Sequence, residues 1–200
     1  MSEAWQPDDE DYQPGLGRPR PESPQLMIAK QLVNAYVTAS SAEDRQYAAT
    51  DAESFLLAVG DEVEMSVLIV MLGLPDTDLT QPIRDFIAEK LRERLPAAVA
   101  LLLRAVIGQR GPRRDNAAAL LTLLSTADLA AGYIAVLAGE HDAALKKAAA
   151  RELVALGKAA AGPILEALAD GEVRSWILAA SGCAPGATDA EILRQIVAAP

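Results

Sequence analysis

Basic side chains recur in the C-terminal half of the sequence, near the predicted starts of successive helices. Positive charge in the first turn of a helix opposes the helix dipole, at a cost of a few tenths of a kcal/mol to about 1 kcal/mol per residue. An acidic or phosphorylated segment of another protein would offset that cost through charge-assisted hydrogen bonds. Six residues are therefore candidate partner-binding positions: Arg113, Arg114, Lys146, Lys147, Arg151 and Arg174.

A second explanation of these bases is structural and stays open at this point. Acids in the turns, namely Asp115, Asp142 and Asp170, could form a ladder of ion pairs with bases of neighbouring helices. Lys147 and Arg151 are four residues apart and lie opposite the apolar positions of their own predicted helix. We expect those two side chains to point away from the core.

Other reactive side chains are sparse, and we predict no catalytic, metal or cofactor site. His141 is the only histidine and lies between Glu140 and Asp142 in a predicted turn, where Asp142 is placed to cap the next helix. Cys183 is the only cysteine, and no histidine is near it in the sequence to activate it as a nucleophile. We expect His141 to lie in a turn exposed to solvent, and the thiol of Cys183 to be a small side chain packed against its neighbours.

Residues 1–24 differ in composition from the rest of the chain. They are rich in proline and acidic residues and poor in aliphatic ones, which predicts a disordered acidic tail. The tail carries two aromatic residues, Trp5 and Tyr12, among its carboxylates. Aromatic residues in such a segment could anchor it in a groove of a partner, or the tail could simply keep the protein in solution.

Apolar residues at helical spacing extend from residue 25 to the end of the chain. In residues 96–200, first helices begin near Ala97, Leu129, Ala160 and Asp189, about thirty residues apart, with second helices over 113–124, 143–156 and 172–181. Such a period with two helices per unit is typical of an α-solenoid. Residues 25–95 contain four more predicted helices, the third apolar nearly all round and therefore central. We predict one all-α domain over 25–200, with ten to twelve helices in stacked antiparallel pairs and no β-sheet.

Two of these units can be aligned with each other, 133–157 and 163–182. Each has an apolar first helix, an aspartate in the turn, a basic residue near the start of the second helix and an Ala/Leu-rich continuation. This pattern resembles the HEAT-repeat superfamily, and within it the short bacterial forms that include the phycobilin-lyase-like proteins. The resemblance covers about 96–200 and extends to 25–95 only by helix count. It implies an α-solenoid fold. It does not imply one function, because the superfamily contains adaptors, transport receptors, lyases and a DNA glycosylase branch.

The composition argues against several classes of ligand. The net charge of −10 argues against nucleic acid as a ligand, and an aromatic content of 4% argues against a tetrapyrrole pocket. No uncharged apolar run reaches the ~20 residues that span a bilayer, and the acidic start does not read as a signal peptide, so we expect a cytoplasmic protein.

The first interpretation is a non-catalytic scaffold or adaptor that binds another protein. A phycobilin-lyase-like enzyme or chaperone is the alternative, and a nucleic-acid-binding HEAT-like protein is a weaker one.

Overall fold

The computed structural model describes residues 23–198, and within that range the fold is all-helical, with eleven α-helices and no strand. This confirms the prediction of an all-helical fold with ten to twelve helices. The helices are α1 (Pro24–Thr38), α2 (Ala42–Val59), α3 (Met65–Met71), α4 (Gln81–Arg92), α5 (Ala97–Gly108), α6 (Pro112–Thr122), α7 (Thr126–Ala138), α8 (Ala143–Ala155), α9 (Ala161–Ala167), α10 (Gly171–Ser181) and α11 (Asp189–Ala198). Short 3-10 turns cover Gly60–Glu62, Asp78–Thr80 and Gly157–Ala160.

Several helices begin at a side-chain cap. The hydroxyl of Ser23 accepts a hydrogen bond from the Leu26 amide (3.2 Å), and Pro24 occupies the first helical position of α1, where its missing N–H costs nothing. The last two residues of the predicted tail, 23 and 24, therefore start a helix, and the remaining residues 1–22 lie outside the described range. At the other end of the domain, α10 stops at Gly182, whose φ of 72° is the left-handed conformation that glycine adopts without strain.

Helix α3 is the centre of the N-terminal half, as its all-round apolar sequence predicts. Val67 and Leu68 are completely buried, and α3 contacts α1, α4, α5 and α6. Its seven residues end in a loop whose carbonyl groups are partly satisfied from α6: the buried Asn116 side chain donates to the carbonyl oxygens of Leu72 (2.9 Å) and Leu74 (2.8 Å). This tie fixes the start of α6 against the end of α3.

The buried apolar residues form two clusters that meet within α5. Ala98, Leu102 and Ala105 pack with α1–α4 and α6, whereas Val99 and Leu103 pack with α7–α11. The predicted boundary between residues 95 and 96 falls between α4 and α5, whereas the two buried clusters meet one helix later, within α5. Helix α5 belongs to both.

The contact between α5 and α7 is unusually close at one point. Gly132 is buried in α7, and a Cβ atom placed on it would lie 2.4–2.8 Å from the Cβ and both Cγ atoms of Val99. Any residue larger than glycine would force the two helices apart. Beyond this crossing, α7 also packs against α9, α9 against α11, and α8 against α10.

Candidate functional site

Two of the six candidate bases are engaged in ion pairs between helices. Lys146 is only 7% exposed, and its ammonium group forms an ion pair with Glu172 in the first turn of α10. Arg174 forms an ion pair with Asp189 at the start of α11 and donates to the carbonyl oxygen of Ala187 (2.8 Å). These two residues connect neighbouring helices and do not belong to an open basic surface.

The acids of this ladder are Glu172, Asp189 and Asp142, and of the three predicted acids only Asp142 is among them. Asp142 and Asp170 cap their own helices: Asp142 accepts from the Leu145 amide (2.9 Å) and Asp170 from the Glu172 amide (2.8 Å). Asp142 also pairs with Arg104 of α5 at 3.4 Å. In each of the three ion pairs the carboxylate lies at the N-terminus of a helix, where the dipole favours negative charge. The ladder therefore runs from a base to the capped start of another helix.

Asp142 makes the stabilisation that this ladder provides depend on pH. The hydrogen bond from the Leu145 amide, with a smaller contribution from Arg104, lowers the pKa of Asp142 below its ordinary value. A carboxyl group with a lower pKa in the folded state stabilises the protein above its unfolded pKa of about 3.9, and this stabilisation is lost as the pH falls through the folded-state pKa.

We expect the Asp142→Asn variant to be less stable than the original protein near neutral pH, because asparagine can cap the helix but carries no charge. The difference in melting temperature should shrink as the pH falls below the unfolded-state pKa of about 3.9 and through the lower folded-state pKa of Asp142, because the carboxyl group then becomes protonated. Thermal unfolding of both proteins across this pH range measures it. A difference that stays constant with pH would show that the charge of Asp142 contributes nothing.

Three other candidate bases are exposed. Lys147 and Arg151 lie one turn apart on α8, and Arg114 lies in the first turn of α6. None of the three forms an ion pair or a side-chain hydrogen bond with residues 23–198. Lys147 and Arg151 thus point away from the core, as predicted from their spacing.

Arg113 faces inward, toward the end of α3. Its side chain is half-buried, one terminal nitrogen donates to the side-chain oxygen of Gln109 at 3.4 Å, and the other lies beside Gly73. Its Nε atom is buried and has no hydrogen-bond partner within the described residues. Arg113 therefore occupies a different environment from Arg114, its neighbour in the sequence, and the six bases do not form one continuous stripe.

A groove opens beside Pro112 at the start of α6, and no sequence pattern predicted it. Its volume is about 390 Å³. It is lined by residues of α1, α2, the loop after α3 and the start of α6: Tyr36, Val37, Arg45, Gly73, Pro75, Thr77 and Pro112. Because these positions are far apart in the chain, only the tertiary structure brings them together.

The remaining candidate residues are His141, Cys183 and the two aromatic residues of the tail. His141 is half-buried in the turn before α8, next to Gly139. Cys183 is a half-buried free thiol in the loop before α11. The described residues contain no group of His, Cys, Asp and Glu side chains that could hold a metal ion. Trp5 and Tyr12 lie outside the range that the structure describes.

No single helix within residues 23–198 is both long and apolar enough to cross a bilayer, whereas α6 and α7 together meet that length and composition as a pair bent by 120°.

Comparison with known proteins gives no further constraint: no family model, curated protein or solved structure matches this chain.

Proposed function

We propose that this protein is a non-catalytic scaffold or adaptor, built as a short HEAT-like solenoid, that binds an acidic or phosphorylated segment of a protein partner. The solenoid part of the proposal is supported by the way alternate helices pack: α5 against α7, α7 against α9, α9 against α11, and α8 against α10. This is the contact pattern expected when two-helix units of about thirty residues stack.

The binding part rests on one observation, the exposed pair Lys147 and Arg151. The neighbouring base Lys146 is buried and paired with Glu172, so its charge is compensated within the fold. Lys147 and Arg151 have no such compensation among the described residues, although the whole chain has an excess of acids. In a protein of net charge −10, two adjacent uncompensated bases on one helix face form a local site for negative charge.

The test is a double substitution, Lys147→Ala with Arg151→Ala. Binding of a fluorescently labelled Asp/Glu-rich peptide, measured by anisotropy, should weaken about 5- to 30-fold, since each contact contributes about 0.5–1 kcal/mol. The affinity of the unaltered protein should also fall as salt is raised, because exposed charges are screened. The melting temperature should change little, because both side chains are exposed.

A matched control removes the same charge elsewhere. Lys158→Ala with Arg194→Ala also deletes two exposed bases of the C-terminal half. The control protein should bind the peptide as the unaltered protein does. Equal losses in the two double variants would mean that only net charge matters, and the proposed surface on α8 would then be wrong.

A further inference from the structure

A shallow apolar depression lies where α4, α5 and α6 meet. Apart from Arg92, the residues that line it are apolar, and we call its six leucines the leucine surface: Leu91, Leu95, Leu102, Leu120, Leu123 and Leu124. Leu123 is 62% exposed. The depression encloses only about 10 Å³, so it is not a pocket for a small molecule. It is a surface on which a flat apolar group can lie and exclude water.

The tail joins the domain close to this surface. The hydroxyl of Ser23 donates a hydrogen bond to the carboxylate of Glu64 (2.7 Å). The side chain of Arg94, just after α4, donates to the carbonyl oxygens of Val63 and Asp61, the latter at 2.8 Å. The end of the tail and the end of α4 therefore contact the same short segment, the one between α2 and α3.

The tail is long enough to reach the leucine surface. Leu95 follows Arg94 directly, and the side chains and peptide steps along these contacts limit the distance from Ser23 to Leu95 to about 25–30 Å. Asp11 is twelve residues from Ser23 in the sequence, a stretch that spans up to about 40 Å, and Trp5 is eighteen residues away, which allows about 60 Å. Both lengths exceed the distance to be covered.

The order of charges along the tail matches the order of charges on the domain. Followed outward from its junction with α1, the tail carries first two bases, Arg20 and Arg18, and then the four consecutive acids 8–11. On the domain, the exposed Glu62 lies in the segment next to that junction, and Arg92 lies beyond it, at the leucine surface. A tail that runs from the junction to the leucine surface therefore brings opposite charges together twice.

The charge of Arg92 is available for such a contact. Arg92 is exposed and forms no ion pair or side-chain hydrogen bond with residues 23–198. The carboxylate next to it in the sequence, that of Glu93, is ion-paired with Lys90 at 3.1 Å. Glu89, one turn earlier on α4, is not ion-paired with Arg92 within the described residues. An acidic segment lying across the leucine surface would supply the partner that Arg92 lacks.

We propose that residues 5–12 of this chain's own tail cover the leucine surface, with the ring of Trp5 against the leucines and the carboxylates of 8–11 beside Arg92. The indole ring is the largest apolar group of the tail, and its flat shape suits a depression too shallow to be a pocket. Because the segment is tethered, its effective concentration is on the order of mM, so even a weak contact is populated. The contact is independent of the exposed pair on α8.

The test follows Trp5 by fluorine NMR of the full-length protein labelled with 5-fluorotryptophan. The chain contains two tryptophans, Trp5 and Trp176, and the Trp5→Phe variant identifies the Trp5 signal by its disappearance. A synthetic peptide of residues 1–22 with the same label gives the position of the signal for an undocked ring. The Trp5 signal of the intact protein should differ from that position and should not change with protein concentration.

Variants at exposed positions locate the contact without putting the fold at risk. Leu123→Gln should move the Trp5 signal at least halfway to its position in the free peptide. Leu57→Gln is the matched control, because Leu57 is 64% exposed on α2 and does not line the leucine surface, and it should leave the signal unchanged. Arg92→Gln should move the signal in the same direction by a smaller amount, whereas Arg110→Gln, at another exposed arginine, should not.

Three results would overturn the proposal. A Trp5 signal at the free-peptide position in the intact protein would show that the ring does not dock. A displaced signal that ignores Leu123→Gln would place the ring elsewhere on the domain. A displacement that grows with protein concentration would assign the surface to the tail of a second copy. None of these results affects the α8 surface, which the acidic peptide tests separately.

Discussion

Replacing Asn116 by leucine is expected to destabilise the protein by about 2–4 kcal/mol. Leucine has the same number and branching of side-chain heavy atoms, but the carbonyl oxygens of Leu72 and Leu74 lose the amide that donates to both. A buried acceptor left without a partner costs about 1–3 kcal/mol, and two are affected here. Chemical denaturation measures the loss as a change in the free energy of unfolding.

A matched control separates this effect from the change of residue type. Asn34→Leu makes the same substitution at an exposed position of α1, where surface changes usually stay within about 0.5 kcal/mol. If Asn116→Leu lowered the free energy of unfolding no more than Asn34→Leu, the hydrogen bonds between α6 and the end of α3 would not contribute to stability.

The second large effect is expected at the crossing of α5 and α7. Gly132→Ala should destabilise the protein by about 1–3 kcal/mol, the usual cost of overpacking. In an open helical position the same change stabilises, because alanine is the better helix former by about 1 kcal/mol. Here the new methyl group would lie 2.4–2.8 Å from three atoms of Val99. The measurement is again the free energy of unfolding.

Two further variants test that explanation. Gly108→Ala, at the exposed end of α5 with no atom within 4 Å of the new methyl group, should leave stability unchanged or raise it slightly. Val99→Ala removes two of the three atoms that Gly132→Ala would meet. The double variant should therefore lose less than the sum of the single changes, a coupling that double-mutant cycles resolve. Strict additivity would contradict a direct clash between these residues.

The helices and the central place of α3 could be predicted from the sequence, because apolar spacing records which side of a helix is buried. The arrangement of the buried residues in two clusters could not be predicted from the sequence. Val99, Leu102 and Leu103 read as one apolar stripe, and nothing in their spacing shows that Leu102 packs with one cluster and Val99 and Leu103 with another. Such a division depends on which helices approach each side, and that is decided by the whole fold.

The candidate bases illustrate the same limit at the level of side chains. Lys146 and Lys147 are adjacent and equally basic, yet a step of about 100° around the helix buries the first and exposes the second. One feature of the sequence was consistent with burial of Lys146. It lies four residues before Ala150, on the side of the helix where small residues allow close packing of a neighbouring helix. No local signal pointed to Arg45, since Thr77 and Pro112, which line the same groove, come from distant parts of the chain.

The sharing of α5 between the two clusters also bears on how the protein comes apart. Loss of either cluster would strip one side of α5 and expose apolar residues that the other cluster needs in place. A fragment cut before α5 lacks a wall of the first core, and a fragment cut after it lacks a wall of the second. The two halves should therefore melt as a single cooperative unit, and no cut next to α5 would give two self-sufficient pieces.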